Sequence, residues 1–236
     1  MISAPDQIGV DIAYDDPPIR TYTHPEVLAA IARGEKWADP CMDPALITDW
    51  PARQAAAAIP FKVVDGRPVN PHTPTGIERG RNELGHWGEQ LCADAIVTAF
   101  TEDGRWLVMV ERGDGHGWAL PGGTVERGER PEVGALRELR EETGLALGRV
   151  LWHVLPALYV PDPRASDEAW MVTVPVRTHL GTVRHAELPA VTGADDAKRA
   201  AWVRADSYAI LTGYLTETYA GRVFIAHEAM LAELLG

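Results

Sequence analysis

Three glutamates close together in the sequence are the first candidates for chemistry. Glu138, Glu141 and Glu142 stand at positions i, i+3 and i+4, a spacing that places side chains on one face of a helix. Carboxylates crowded in this way repel each other, and the helix dipole disfavours anions near the carboxyl end. A hard divalent cation offsets that repulsion, and Mg²⁺ binds to carboxylate and substrate phosphate oxygens. The spacing therefore predicts a metal site.

The helix that must carry these glutamates has recognisable ends in the sequence. Pro131 suits the first turn of a helix, where its missing N–H costs nothing. Val133, Leu136 and Leu139 recur at helical spacing and are expected to form a buried stripe. Gly144 follows at the position typical of a left-handed cap. We expect a helix of about three turns between the proline and this glycine.

A glycine turn and a charged loop precede this helix. Trp118 begins the run Trp-Ala-Leu-Pro-Gly-Gly, which is typical of a short strand ending in a tight turn. Gly122 and Gly123 allow the backbone to approach another group closely or to adopt a positive φ. Glu129 lies in the following loop, where it can pair with Arg137. The alternative interpretation is a solvent-exposed helix stabilised by ordinary charge pairs.

The run from Gly123 to Leu145 matches the Nudix box, G-x5-E-x7-R-E-U-x-E-E-x-G-U, in which U is an aliphatic residue. Every defined position is filled, by Gly123, Glu129, Arg137, Glu138, Leu139, Glu141, Glu142, Gly144 and Leu145. The chain therefore resembles the Nudix hydrolases. The resemblance implies an α/β fold, namely an α/β/α sandwich around a mixed sheet.

The resemblance also implies roles for the residues of the box. Four oxygen donors are expected to bind Mg²⁺, for which Mn²⁺ can substitute: the side chains of Glu138, Glu141 and Glu142 and the carbonyl of Gly123. Arg137 is expected to orient the glutamates. Glu129 is expected to pair with Arg137 and fix the loop. These glutamates and the arginine are the expected catalytic residues.

Outside the box, the chain resembles the mitochondrial-type ADP-ribose pyrophosphatases and the ADP-ribose-sensing domain of a melastatin-type TRP channel. Short matching segments run in the family's order from residue 36 to about residue 203. They include Lys36-Trp-Ala-Asp-Pro, Asp65-Gly-Arg-Pro-Val-Asn-Pro, Leu84-Gly-His-Trp-Gly, Tyr159-Val-Pro-Asp-Pro-Arg and Gly193-Ala-Asp-Asp-Ala-Lys. The box of this chain is closer to the general Nudix consensus than the family's usual version is, which favours catalysis over sensing.

This narrower resemblance implies substrate-binding residues in the loops. The turn formed by Asp162 and Arg164 around Pro163 is expected to face a terminal ribose, and its alternative is an ordinary surface turn. The other candidates are Asp94, Asp195 and Asp196, the stacking residues Trp87 and Trp118, and Tyr219 near the adenine. For the tryptophans the alternative is a place in the core.

The implied reaction is hydrolysis of ADP-ribose to AMP and ribose 5-phosphate. Glu138, Asp162 and Asp195 stay open as the base that accepts a proton from water. Two alternatives remain. The first is hydrolysis of another nucleoside diphosphate derivative, such as a nucleotide sugar, a dinucleoside polyphosphate or NADH. The second is a module that senses ADP-ribose without cleaving it.

Composition limits the partners. The 236 residues carry a formal net charge of −12, which argues against binding to a nucleic-acid backbone. No stretch approaches the ~18 apolar residues of a membrane span. The amino-terminal sequence lacks the pattern of a signal peptide, and two cysteines form neither a disulfide framework nor a zinc site. We expect a cytoplasmic monomer acting on a small nucleotide.

The chain is expected to comprise an N-terminal lobe over residues 1–90, which contributes to the substrate cleft, and a Nudix domain over residues 91–236. Residues 1–25 are expected to be extended and residues 65–90 to form a long loop. Helices are expected over 26–33, 54–59 and 223–235, and strands over 61–64, 93–100, 105–111, 147–160, 169–177 and 200–203.

Overall fold

The computed structural model describes residues 19–72, 74–76 and 78–236. The extended segment expected over residues 1–25 therefore lies mostly outside the described residues. The helices are α1 (Pro25–Arg33), α2 (Trp50–Ala56), α3 (Pro131–Thr143), α4 (Tyr208–Tyr219) and α5 (Ile225–Leu235). The strands are β1 (Arg20–Thr23), β2 (Lys62–Val64), β3 (Arg67–Val69), β4 (Glu78–Asn82), β5 (Gly88–Thr101), β6 (Gly104–Arg112), β7 (Trp118–Ala119), β8 (Gly122–Thr124), β9 (His153–Val154), β10 (Leu158–Val160), β11 (Ala169–Thr182) and β12 (Ala197–Arg204).

The largest sheet is mixed and is built on two long strands. β5 and β11 run parallel over 14 residues each, in a register that places Gly88 opposite Ala169. The sheet order is β10-β11-β5-β6-β12, with β7, β8 and β9 paired to β6, β5 and β11. β6 and β12 are antiparallel to their neighbours. The short β8 pairs with β5 so that Gly123 lies opposite Ala93, which brings the glycine turn to the middle of the sheet.

Helices cover both faces of this sheet, as expected from an α/β/α sandwich. Side chains alternate along β5, so Ala95 and Val97 pack with Leu139 of α3. Ile96 points to the other face, where it packs with Leu211 of α4 and with residues of α5. The two apolar layers fix α3 against one face, and this is the helix that carries the three glutamates.

Residues ahead of the large sheet fold against it. β2 and β3 form a hairpin, and β1 pairs in parallel with β4. Trp50, Phe61 and Trp87 form one cluster with Trp170 at the start of β11. The Phe61 and Trp170 rings meet edge to face with centroids 5.1 Å apart, a geometry that aromatic pairs prefer.

Several expected boundaries are corrected by the structure. The helix expected over 54–59 begins earlier, at Trp50, and ends at Ala56. The loop expected over 65–90 contains β3, β4 and the first residues of β5. The long strand expected over 147–160 is wrong: only β9 and β10 are extended there, and Pro156 between them has no N–H for a ladder. Helix α4 is not among the expected elements.

The stripe expected on α3 is also corrected. Val133 is 45% exposed, and the buried positions are Gly134, Ala135, Leu139, Glu142 and Thr143. The helix is therefore rotated from the orientation that its apolar residues alone would give. A glutamate, rather than a valine, takes a place on the buried side. Among the described residues, no helix is long and apolar enough to cross a membrane.

Candidate active site

Helix α3 is fixed at both ends by the residues that the sequence suggests. Pro131 occupies its first turn, and Gly144 adopts the left-handed conformation with φ 69° while its N–H donates to the Arg140 carbonyl. At Gly123 on β8, the Cβ of any other residue would lie 2.5 Å from Oε1 of Glu138. The absence of a side chain at this position therefore lets the Glu138 carboxylate approach the backbone closely.

Arg137 lies at the centre of a charge network on α3. Its guanidinium donates to Glu129 at 3.0 Å, to Glu138 at 2.7 Å and to Glu141 at 3.2 Å. It also donates to the Thr124 carbonyl at 3.0 Å. The hydrogen bond from Arg137 lowers the pKa of Glu129, and the same pairing raises the pKa of the arginine. One cation thus ties the loop before the helix to two of the three glutamates.

Glu142 is the buried member of the three. Its Oε2 accepts the Gly122 N–H at 2.9 Å. Burial raises the pKa of Glu142 to about 8, and repulsion by Glu138 and Asp94 adds to the shift. Burial also raises the pKa of Glu138, against the opposing effect of Arg137. Both carboxyls are therefore held where burial disfavours their charged form.

The donor chemistry fits a divalent metal ion. The candidate ligands are all oxygens, and their mutual repulsion is the kind that Mg²⁺ relieves. In the part of the chain that is described, no three His, Cys, Asp or Glu side chains are gathered into a metal cluster. Glu138 and Glu141 instead turn toward Arg137.

A cleft of about 700 Å³ opens beside these carboxylates. It brings together most of the residues expected at the site: Asp94, Gly123, Arg137, Glu138, Glu141, Glu142, Arg164, Asp195 and Asp196. The remaining expected residues, Glu129, Asp162, Trp87, Trp118 and Tyr219, lie outside its lining. The volume is in the usual range for small-molecule sites.

The Asp162 and Arg164 side chains have different positions. Asp162 is fully buried and accepts from the Arg164 side chain at 2.9 Å and 2.6 Å and from the Arg164 N–H at 2.8 Å. This pairing raises the pKa of Arg164. Arg164 lines the cleft, and Asp162 does not. The aspartate therefore aims the arginine, and only the arginine is placed to touch a ligand.

The loop with Asp195 and Asp196 is attached to the helix of glutamates. The Ala194 N–H donates to the Glu142 carbonyl at 3.0 Å, and the Gly113 N–H donates to the Asp196 carbonyl at 2.8 Å. Asp195 is close enough to Glu138 to contribute to the raised pKa of that glutamate. Both aspartates add to the acidic side of the cleft.

The three aromatic candidates pack elsewhere. Trp87 is buried with Trp50 and Phe61, and its Nε1 donates to the Cys41 carbonyl at 2.7 Å. The Trp118 and Tyr219 rings contact each other at a tilt of 33°, with centroids 4.6 Å apart. Both tryptophans are buried, which is the core placement held open as their alternative.

Sequence reasoning missed several residues of the cleft. Arg112 pairs with Asp114 at 2.5 Å and lies over the Phe224 ring at 4.6 Å. Lys198 and His227 also line the cleft. The signal at Arg112 was its place at the end of a strand beside the glycine turn. His227 had no such signal, because a lone histidine in an apolar helix usually belongs to the core.

Comparison with known proteins agrees with this geometry. The family model described as the NUDIX domain matches residues 91–220. The chain belongs to the Nudix family, whose hydrolases generally use divalent metal ions.

Among similar proteins is the putative nudix hydrolase 6 of Caenorhabditis elegans, 35% identical over 205 residues that cover 79% of this chain and 75% of the relative. The mitochondrial ADP-ribose pyrophosphatase of Rattus norvegicus is 30% identical over 235 residues, covering 84% of this chain and 66% of the relative. The mouse transient receptor potential cation channel subfamily M member 2 is 31% identical, over 60% of this chain and 10% of the channel.

Solved structures that resemble the chain include the NUDIX domain of Shewanella oneidensis NrtR complexed with ADP ribose. It is 19% identical with a TM-score of 0.45, and the match covers 61% of this chain and 84% of that one.

Proposed function

We propose that the protein hydrolyses the diphosphate of ADP-ribose, in the presence of Mg²⁺, to AMP and ribose 5-phosphate. The observation that carries the proposal is a single cleft lined by two kinds of group. Glu138, Glu141 and Glu142 supply oxygen ligands, and Arg164 supplies a guanidinium held by Asp162. The rat relative named as an ADP-ribose pyrophosphatase supports the choice of substrate.

The chain's own residues divide the work in this proposal. The three glutamates and the Gly123 carbonyl would hold Mg²⁺, which acidifies water and offsets charge on the diphosphate. Arg137 orients the glutamates that it contacts. Arg164 binds the terminal ribose through its forked donors. Arg112, which lines the same cleft, adds a second guanidinium for the diphosphate.

Two carboxylates are suitably placed to accept the proton from water. Glu138 lines the cleft and has a pKa raised by burial, which suits a general base. Asp195 lines the cleft as well. Asp162 is removed from the candidates because its side chain is fully buried and paired with Arg164. The proposed base is therefore Glu138 or Asp195.

The N-terminal lobe over residues 1–90 and the Nudix domain over residues 91–236 are part of the same proposal. Arg67 forms an ion pair with Glu168 at 2.5 Å, and Thr75 and Gly76 donate from their backbones to Asp167. Asp167 and Glu168 directly follow the loop that aims Arg164. We propose that the lobe supports the substrate cleft by holding this loop.

A substrate panel tests the proposed function. The panel contains ADP-ribose, ADP-glucose, a diadenosine polyphosphate and NADH, with Mg²⁺ in each assay. We expect the highest kcat/KM for ADP-ribose. A higher value for another member would assign a different nucleoside diphosphate derivative. Binding of ADP-ribose by calorimetry without any turnover would instead indicate a sensor, the role suggested by the likeness to the channels.

Location and oligomeric state belong to the proposal too. The cytoplasmic location expected from the sequence stays a prediction, and the rat relative is named as a mitochondrial protein. Subcellular fractionation of the full chain tests it. The proposed monomer is tested by sedimentation.

A further inference from the structure

A buried histidine from the last helix contacts the glycine turn of the site. His227 lies in the first turn of α5 and is 8% exposed. Its Nδ1 accepts the Leu120 N–H at 3.1 Å. Because a backbone N–H can only donate, Nδ1 carries no proton, and the neutral ring has its proton on Nε2. Burial lowers the pKa of His227, which agrees with a neutral ring.

The other nitrogen of this ring faces the cleft. Nε2 of His227 is 3.8 Å from Oδ2 of Asp94, and both residues line the cleft. The same Oδ2 accepts the Thr173 hydroxyl at 2.6 Å. A Cβ added at Gly122 would lie 2.3 Å from Oδ1 of Asp94, so the carboxylate is packed where a side chain of residue 122 would begin. The histidine and the aspartate therefore enclose the turn from two sides.

The turn held by His227 contains the backbone groups of the acidic site. Leu120 is followed by Pro121, Gly122 and Gly123, and the Gly122 N–H donates to Glu142 at 2.9 Å. The Pro121 carbonyl accepts from Ala95 at 2.8 Å. The Gly122 N–H, which is the donor for Glu142, lies two residues after Leu120, and the Gly123 carbonyl lies three residues after it. A shift of Leu120 would therefore displace both groups.

We propose that His227 is a positioning residue of the active site, which acts through Nδ1 by fixing the turn Leu120–Gly123 against Glu142. The histidine touches no reacting atom in this role. It determines where the Gly122 N–H and the Gly123 carbonyl stand relative to the glutamates of α3. The inference rests on the metal site of the proposed function, and it rests on the proposed substrate only where its test uses turnover.

Two variants test the roles of the two ring nitrogens separately. His227→Asn keeps an acceptor on the atom bonded to Cγ, where Nδ1 stands, and loses Nε2. His227→Gln places its amide near the Nε2 position and leaves the Leu120 N–H unpaired. The first readout is the Kd for Mn²⁺ without substrate, measured by electron paramagnetic resonance. We expect the Asn variant to stay within about threefold of wild type and the Gln variant to bind about tenfold more weakly, about 1.4 kcal/mol.

A substrate-free spectroscopic readout accompanies the metal titration. We expect ¹⁵N spectra of the wild type to show His227 with an unprotonated Nδ1 and a protonated Nε2. With substrate, the Gln variant should lose kcat while KM changes little. Circular dichroism and urea unfolding confirm that both variants fold.

Three results would overturn the role. They are equal Mn²⁺ affinity in all three proteins, an Asn variant as weak as the Gln variant, or a proton on Nδ1. Failure of the wild type to bind Mn²⁺ would overturn it as well. The protein could also fail to cleave ADP-ribose while its variants show the expected Mn²⁺ affinities. That result would reject the proposed substrate and leave the positioning role standing.

Discussion

Arg164 and Asp162 form a pair in which one side chain faces the cleft and the other holds it in position. The arginine lines the cleft, while the aspartate is buried beneath it and accepts three hydrogen bonds from it. Pro163 between them stiffens the backbone by fixing its own φ. The pair therefore behaves as one unit, in which the loss of either side chain leaves the guanidinium missing or misdirected.

This arrangement predicts the effect of two substitutions on specificity. Arg164→Ala should lower kcat/KM for ADP-ribose about ten- to hundredfold, because substrate polar groups left unpaired cost roughly 1–3 kcal/mol. Asp162→Asn should cause a loss of similar size, since it acts through the arginine. The double variant should be little worse than either single one. Steady-state kinetics on ADP-ribose measures all three.

ADP, which has no terminal ribose, is the control substrate for these variants. Its kcat/KM should change much less than that for ADP-ribose. Equal losses on both substrates would mean that Arg164 binds the diphosphate or supports the fold. The ribose assignment would then have to be abandoned.

At this scale the sequence predicts residues whose neighbours are close in the chain. Glu138, Glu141 and Glu142 are predictable because one helix carries them, and Gly123 because a fixed spacing links it to that helix. Arg112 and His227 reach the same cleft from the end of β6 and from α5. Contacts of this kind arise from tertiary packing, and the spacing within the box does not include them.

Among the elements, the start of β11 connects the N-terminal part to the cleft. Glu168 has a side-chain exposure of 4%. It accepts two bonds from Arg67 and one from the Gly80 N–H at 2.8 Å. Asp167 beside it accepts from Thr75 and Gly76. Two consecutive buried carboxylates thus bind three segments of the N-terminal part, at Arg67, at Thr75 and Gly76, and at Gly80, which all lie far from them in the sequence.

We expect Glu168→Gln to destabilise the fold by about 1–3 kcal/mol, because a buried backbone donor and a guanidinium lose a charged acceptor. Urea unfolding gives the free energy. The matched control is Glu187→Gln, which breaks the exposed pair with Arg184 and should change the free energy of unfolding far less, because exposed ion pairs contribute little. Equal effects of the two substitutions would show that the buried contact does not stabilise the protein.

Because of His227 on α5, the free energy of unfolding should depend on pH. Burial lowers its pKa below the ordinary 6.5, so the folded state favours the neutral ring. The stabilising contribution is fully present above pH ~6.5 and is lost as pH falls through the lower folded pKa. Relative to His227→Asn, wild type should lose up to about 1.4 kcal/mol per pH unit in that window. Parallel stability curves from pH 8 to 5 would contradict this.

The helices and strands that can be predicted from the sequence are those with characteristic residues at their ends. Pro131 and Gly144 mark α3, and the turn at residues 101–104 marks the hairpin of β5 and β6. The segment over 147–160 is misleading because its apolar residues suggest a strand although Pro156 interrupts pairing. The exposed Val133 shows the same limit, since the buried side of α3 is chosen by Glu142 and its partners as well as by apolar residues.

The whole molecule relies on its N-terminal residues for part of its core. Trp50, Phe61 and Trp87 pack with Trp170 of β11, and β5 begins at Gly88, ahead of residue 91. A chain cut at residue 91 loses the first three residues of its central strand and exposes Trp170. Burying large aromatic side chains contributes several kcal/mol to stability.

Deletion of residues 1–90 is therefore expected to impair both folding and substrate binding. The shortened chain should unfold at lower urea concentration or fail to fold, and any folded fraction should have a raised KM for ADP-ribose. The full chain measured in parallel is the reference. Unchanged kcat and KM in residues 91–236 alone would show that the N-terminal lobe has been misinterpreted.

The most direct test of the account identifies the products of ADP-ribose hydrolysis by the full chain, with and without metal. We predict stoichiometric AMP and ribose 5-phosphate with Mg²⁺ and no turnover in excess chelator, with recovery on adding Mg²⁺ or Mn²⁺. Glu142→Gln keeps an acceptor for the Gly122 N–H but loses its charge, and it should remain folded with kcat reduced at least about a hundredfold. Full turnover in excess chelator, or products other than AMP and ribose 5-phosphate, would contradict the account.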